Sequence, residues 1–152
     1  MHDHACCIAD ALSHLEAHCA ANGLQLTPVR RRVMDILLEQ HRALGAYDIL
    51  ARLRDEGLGS QPPVVYRALD FLVRAGFVHR VETLNAFVAC SRSGAGHAPA
   101  FLICRNCRTV IETPAEPSAG VLAGAAQEAG FAIETAVSEA EGLCAQCLGS
   151  AA

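Results

Sequence analysis

Two cysteine pairs, Cys104 with Cys107 and Cys144 with Cys147, each enclose two residues. That spacing lets both sulfurs of a tight turn bind one ion, and two such turns complete the closed, tetrahedral, all-thiolate site typical of structural zinc. The 36 residues between the pairs exceed a zinc ribbon's usual gap, so the intervening fold must bring the ends together. A redox reading of either pair fails for want of a thioredoxin-like βαβ pattern around it. A second group, His79, Cys90, His97 and Glu112, is scattered. Singly, these read as a strand-edge histidine, a buried small hydrophobe, a loop histidine and a solvated glutamate. Together they offer two imidazoles, one thiolate and one carboxylate, a donor set that suits tetrahedral zinc and argues against magnesium, calcium or manganese. A third group is Tyr66 and Arg67. An arginine fork matches guanine O6 and N7, and a tyrosine ring packs on a thymine methyl, provided a helix carries both into a groove.

The elements that must position these groups are legible from pattern. Ile8, Leu12, Leu15 and Cys19 recur at helical spacing and Asn22-Gly23 supplies a stop, so residues 5–21 are expected to be helical. Thr27-Pro28 opens a second helix bearing Arg30, Arg31 and Arg32, with Val29, Val33, Ile36 and Leu37 as its apolar face. A third helix is expected from Ala46 to about Glu56. Pro62-Pro63 leads into a fourth over Val64–Leu72 that ends at Ala75-Gly76. Helix, short turn and helix, followed by strands at Phe77–Glu82 and Asn85–Cys90, form the layout of a winged helix. Beyond a loop at 91–99, strands are expected at Ala100–Ile103 and Thr109–Glu112, a helix from Pro117-Ser118 to near Gly130, and a third strand over Phe131–Val137. The expected fold is α+β, a winged-helix DNA-binding domain at 1–84 followed by a small α/β dimerisation domain at 85–152.

Composition sets the surroundings. Eight cysteines in a chain whose start, MHDHACCIAD, lacks the features of an export signal favour metal ligation over disulfides, and place the protein in the cytoplasm. No apolar run is long enough to span a membrane. The net charge of −4 conceals an uneven distribution. Nine arginines stand against six acids from Leu26 to Arg80, whereas three arginines stand against six glutamates after Asn85, so the basic surface belongs to the first half. His14 and His18, and the group His2, His4, Cys6 and Cys7, are expected on solvated faces, and Cys19 in the core.

The chain closely resembles the ferric uptake regulator family through LTPVRRRV at 26–33, AYDIL at 46–50, PPVVYRALDFLVRAGFVHRVE at 62–82, FLICRNC at 101–107 and GLCAQC at 142–147. The run containing PP, VYRALDFL and GFVH resembles its zinc-sensing branch. The resemblance implies that Cys104, Cys107, Cys144 and Cys147 hold structural zinc and that His79, Cys90, His97 and Glu112 form a regulatory zinc site, giving two zinc ions per monomer. It implies that Tyr66 and Arg67 read bases, with Tyr47 and Arg30 near the DNA backbone. Implied too is a zinc-responsive repressor that binds palindromic double-stranded operators of zinc-uptake genes as a homodimer. Val64 departs from the family's usual threonine, so any contact from that hydroxyl is absent. The sequence ends at Ala152 without the histidine- and cysteine-rich tail of some relatives, so no tail metal site is expected.

Three other readings compete with this one. A family sensor of iron, manganese, nickel or peroxide is the nearest, and Cys90 as a ligand argues against it. A nucleobase deaminase needs an HxE motif working with PCxxC. Here Ile103 and Leu143 precede the cysteine pairs, and the HxE at His14-Leu15-Glu16 lies outside the zinc domain. No enzyme and no small-molecule substrate is therefore expected. A purely structural zinc module leaves the arginine-bearing helices unexplained.

Overall fold

Thr27 begins the second helix as its side chain allows: extended backbone, Oγ1 accepting from the Arg30 amide at 3.3 Å, and Pro28 next, where a missing N–H costs nothing. The computed structural model describes residues 4–40, 42–59, 61–90, 98–115, 120–134 and 136–150. Its first helices are α1 (His4–Ala21), α2 (Pro28–Glu39), α3 (Ala46–Asp55) and α4 (Pro62–Arg74). Both prolines of Pro62-Pro63 lie inside the first turn of α4, where amides lack helical partners anyway. Strands β1 (Val78–Val81) and β2 (Ala86–Ala89) then pair antiparallel, with His79 opposite Val88. Leu44, between α2 and α3, exchanges both backbone hydrogen bonds with Phe87 at 2.8 and 2.9 Å, tying the hairpin to the helices.

One apolar core holds these elements together. Leu15 of α1, Ile36 of α2, Ile49 and Leu53 of α3, and Leu69 and Leu72 of α4 are all fully buried in it. Cys19 belongs to the same core, as its place on the apolar stripe requires. Arginines on α2 are largely committed to neighbours. Arg31 pairs with Glu16 of α1, and Arg32 reaches both Glu39 at 2.9 Å and Glu56 at 2.7 Å. Arg52 completes that group by bonding Glu39 at 2.6 Å, so α2 and α3 are cross-linked at their solvent edge. These arginines hold the glutamates Glu39 and Glu56 below the usual carboxylate range, although burial opposes them at Glu39.

The second unit contains β3 (Ala98–Cys104), β4 (Val110–Ala115), α5 (Val121–Glu128), β5 (Ser138–Gly142) and α6 (Ala145–Ser150). Its sheet runs β4-β3-β5, antiparallel on one side of β3 and parallel on the other. Two expectations are corrected here. No described residue of 131–137 is in a strand; β5 lies further on, in Ser-Glu-Ala-Glu-Gly, with Leu102 opposite Ala140. Apolar character misled because the strand is selected by backbone pairing with β3, while Phe131 stays 68% exposed. The expected boundary after residue 84 also shifts: the two compact units are Met1–Ala95 and Gly96–Ala152. A cut at 84 would separate β2 from β1 and from Leu44. The six-residue helix α6 was not expected.

Candidate metal centres and nucleic-acid face

In the second unit the chain folds back so that Cys104 and Cys107, at the β3–β4 turn, face Cys144 and Cys147, which flank the start of α6. All four sulfurs lie within 4.8 Å of one another. Cys107 Sγ and Cys144 Sγ are 3.7 Å apart, matching the edge of about 3.8 Å for a tetrahedron with Zn–S bonds of about 2.3 Å. Parallel pairing explains the convergence: Cys104 aligns with Gly142, and the Arg105 amide donates to the Gly142 carbonyl at 2.9 Å, which delivers Cys144 to its place. The 36 intervening residues are thus bridged by one strand pairing.

The surroundings favour thiolates unequally. Backbone amides of Cys107 and Cys144 donate to Cys104 Sγ and bring its thiol down to about 6. The Thr109 hydroxyl, 3.1 Å from Cys107 Sγ, heads the causes that lower that thiol too. At Cys147 the Asn106 amide, donating at 3.3 Å, pulls downward, but Cys144, burial and the other two thiols outweigh it and leave the thiol at about 11. Four thiolates cannot crowd together unaided; a divalent cation would remove that repulsion and displace the protons the thiols still hold. Donor type, number and spacing therefore all fit zinc.

Asn106 and Thr109, which hydrogen-bond to candidate ligand sulfurs, are residues that sequence reading missed. No local signal marked them beyond their position in or beside the first cysteine pair. Asn106 links the two knuckles across 41 residues. Asn106→Ala is expected to release zinc from this centre about tenfold faster, as losses of such outer partners do elsewhere. Transfer to a chromophoric chelator would record it; an unchanged rate would make the Asn106 contact incidental.

The other expected ligands belong partly to each unit. In the first, His79 on β1 and Cys90 just past β2 bring their ligand atoms within 4.8 Å. Cys90 is buried, and its amide donates to the Phe77 carbonyl at 2.8 Å, so it is fixed to the residue that follows the α4 turn. In the second, Glu112 is half-buried on β4 opposite Phe101. His97 lies outside the described residues.

The helices present the expected nucleic-acid residues as follows. Tyr47, in the first turn of α3, is 69% exposed. Tyr66 and Arg67 project from α4 on its exposed side, opposite buried Val65, Ala68, Leu69 and Leu72. Arg30 is held close to the body, with Nη1 donating to the Gln25 carbonyl at 2.6 Å and Cζ lying 3.9 Å from the Phe71 ring centroid. His14 is exposed as expected, whereas His18 is half-buried and sets its ring edge-on to Phe77.

The family model of the ferric uptake regulators matches residues 21–139. The chain belongs to the ferric uptake regulator family. It is 41% identical over 140 residues to the zinc uptake regulation protein of Escherichia coli strain K12, covering 91% of this chain and 82% of that one. It is also similar to a zinc uptake regulator solved in complex with zinc and DNA, at 39% identity and TM-score 0.88, over 95% of this chain and 97% of the other. Crystalline holo XcZur matches at 37% identity and TM-score 0.80, over 91% and 96%. These likenesses agree with the family and the fold class read from the sequence.

Proposed function

We propose that the protein is a zinc-responsive transcriptional repressor which, with zinc as co-repressor, binds palindromic operators of zinc-uptake genes as a homodimer. The observation that carries this reading is the position of His79 and Cys90. A candidate ligand pair sits on the hairpin directly behind the exposed helix bearing Tyr66 and Arg67, and Cys90 is bonded to the turn that ends this helix. Metal at that pair acts on the DNA-reading unit itself.

Cys104, Cys107, Cys144 and Cys147 would hold a permanent structural zinc. His79, Cys90, His97 and Glu112 would hold a second, exchangeable one. When bound, each ion supplies fixed tetrahedral geometry to its donors and no redox chemistry. Tyr66 and Arg67 read base edges, while Tyr47 and Arg30 position the duplex. Homodimerisation is supported by apolar surface on the second unit: Val121 is 92%, Leu122 62% and Phe131 68% exposed. A two-fold dimer presents two such helices about 34 Å apart, one turn of DNA. No catalytic role is proposed. Among the described residues no helix is long and apolar enough to cross a membrane, and a cytoplasmic location is part of the proposal.

Zinc per protomer, measured before and after mild chelation alongside binding to a palindromic AT-rich duplex, tests the reading. Two ions, one of them removed together with DNA binding, are expected. A single ion and DNA affinity indifferent to zinc would overturn it.

A further inference from the structure

Two of the three arginines at the start of α2 are engaged by carboxylates, Arg31 by Glu16 and Arg32 by Glu39 and Glu56. Arg30 is held differently. A carbonyl occupies one of its five N–H donors and the Phe71 ring covers one face, which immobilises the guanidinium without neutralising it. Its remaining donors are fixed in direction before any partner arrives.

Arg30 borders an open groove of about 500 Å³ that also takes in His18, Arg67 and Arg74, with Asp70 as the one acid in its lining. Arg67 and Arg74 are seven residues apart on α4, two helical turns along one face, and that face points away from Val65, Leu69 and Leu72 in the core. Three arginines therefore line one groove, and among the described lining residues one carboxylate, Asp70, offsets them. Such an array repels itself in the free protein and is relieved by a polyanion with repeating charge. Its spacing, two turns of helix or about 10.5 Å, exceeds what a single small anion spans.

We propose that the part of this groove between Arg30 and Arg74 seats phosphates of the DNA backbone beside the base-reading Arg67, with Arg74 as a direct phosphate contact and Phe71 as a positioning residue that aims Arg30. The assignment rests on the DNA-binding reading above and extends it to two residues that the sequence did not single out. Contacts of this kind fix register and contribute affinity but carry no sequence information.

The test uses the full-length, zinc-loaded protein and two duplexes of equal length, a palindromic AT-rich one and a scrambled one. Dissociation constants are followed by fluorescence anisotropy across a salt series. Arg74→Ala is expected to weaken both duplexes by a similar factor, about tenfold, and to lower the salt slope by about one per protomer. Arg74→Lys should restore the slope. Phe71→Leu, which keeps an apolar side chain on the helix, should weaken both duplexes about threefold with the slope unchanged. A wild-type slope in Arg74→Ala, or a loss confined to the palindromic duplex, overturns the phosphate assignment while leaving the repressor reading intact. If the wild-type protein binds neither duplex, both fall.

Discussion

A Cys104→Ser chain is expected to lose the fold of its second unit while the first unit stays folded. Among the described residues of that second unit, the buried hydrophobics are Phe101, Ile103 and Cys104, and one of these is itself a proposed ligand. A unit of this size buries too little apolar surface to offset its chain entropy. Zinc at the proposed four-thiolate site would supply what the core does not, with apparent binding free energies of about 10–16 kcal/mol for structural sites at neutral pH. Serine offers no thiolate, so the ion would be left with three sulfurs. Limited proteolysis should then cut freely within residues 98–150 and leave a resistant fragment ending near residue 90. Sedimentation should report monomer, since Val121, Leu122 and Phe131 lie on the collapsed unit. An unchanged digestion pattern would mean that the unit stands without its metal.

Acid should reach the same state by another route. Zinc binds thiolates, and protons compete for them. The Cys104 thiol, held down at about 6, takes its proton back below that pH. The zinc-dependent fold should therefore weaken with falling pH most steeply from about 6 downward, whereas chelation at neutral pH needs no acid.

The contrast between the units also explains what the sequence made legible. α2 was readable at its start because Thr27 and Pro28 carry local chemistry that acts wherever the helix goes. Helices α1, α3 and α4 were readable because each commits an apolar face to one shared core. The cysteine pairs were readable because ligand spacing is a constraint of the ion, not of the fold. β5 was not, because Ser-Glu-Ala-Glu-Gly becomes a strand only through pairing with β3. The Leu44–Phe87 bridge escaped for the same reason: a single residue between α2 and α3 exchanges hydrogen bonds with one residue of β2 across a long stretch of chain, with no periodic pattern to announce it. Composition placed basic charge in the first half correctly, but could not separate Arg32, spent on Glu39 and Glu56, from Arg67, exposed on α4.

Cys90→Ala is expected to behave unlike Cys104→Ser: both units stay folded, one zinc ion binds per protomer where two are proposed for the parent, and zinc ceases to strengthen DNA binding. Cys90 is buried, so alanine removes one sulfur and leaves a small void, whereas serine would bury a hydroxyl and confound folding with ligation. The size of the effect follows from linkage. Couplings between effector and ligand sites amount to about 1–3 kcal/mol, or roughly 5–150-fold in affinity, and the variant should forfeit that whole factor. Reciprocity supplies the sharper control. If zinc at His79 and Cys90 tightens DNA binding, operator DNA must tighten zinc at the same site by the same factor. Competition with a fluorescent chelator should show that DNA slows zinc loss from the parent's exchangeable site and has no effect on the ion retained by Cys90→Ala. Should the variant keep two ions and its zinc response, Cys90 is no ligand. Should DNA leave the parent's zinc affinity untouched, the second ion is not the signal, since no differential binding means no shift between conformations.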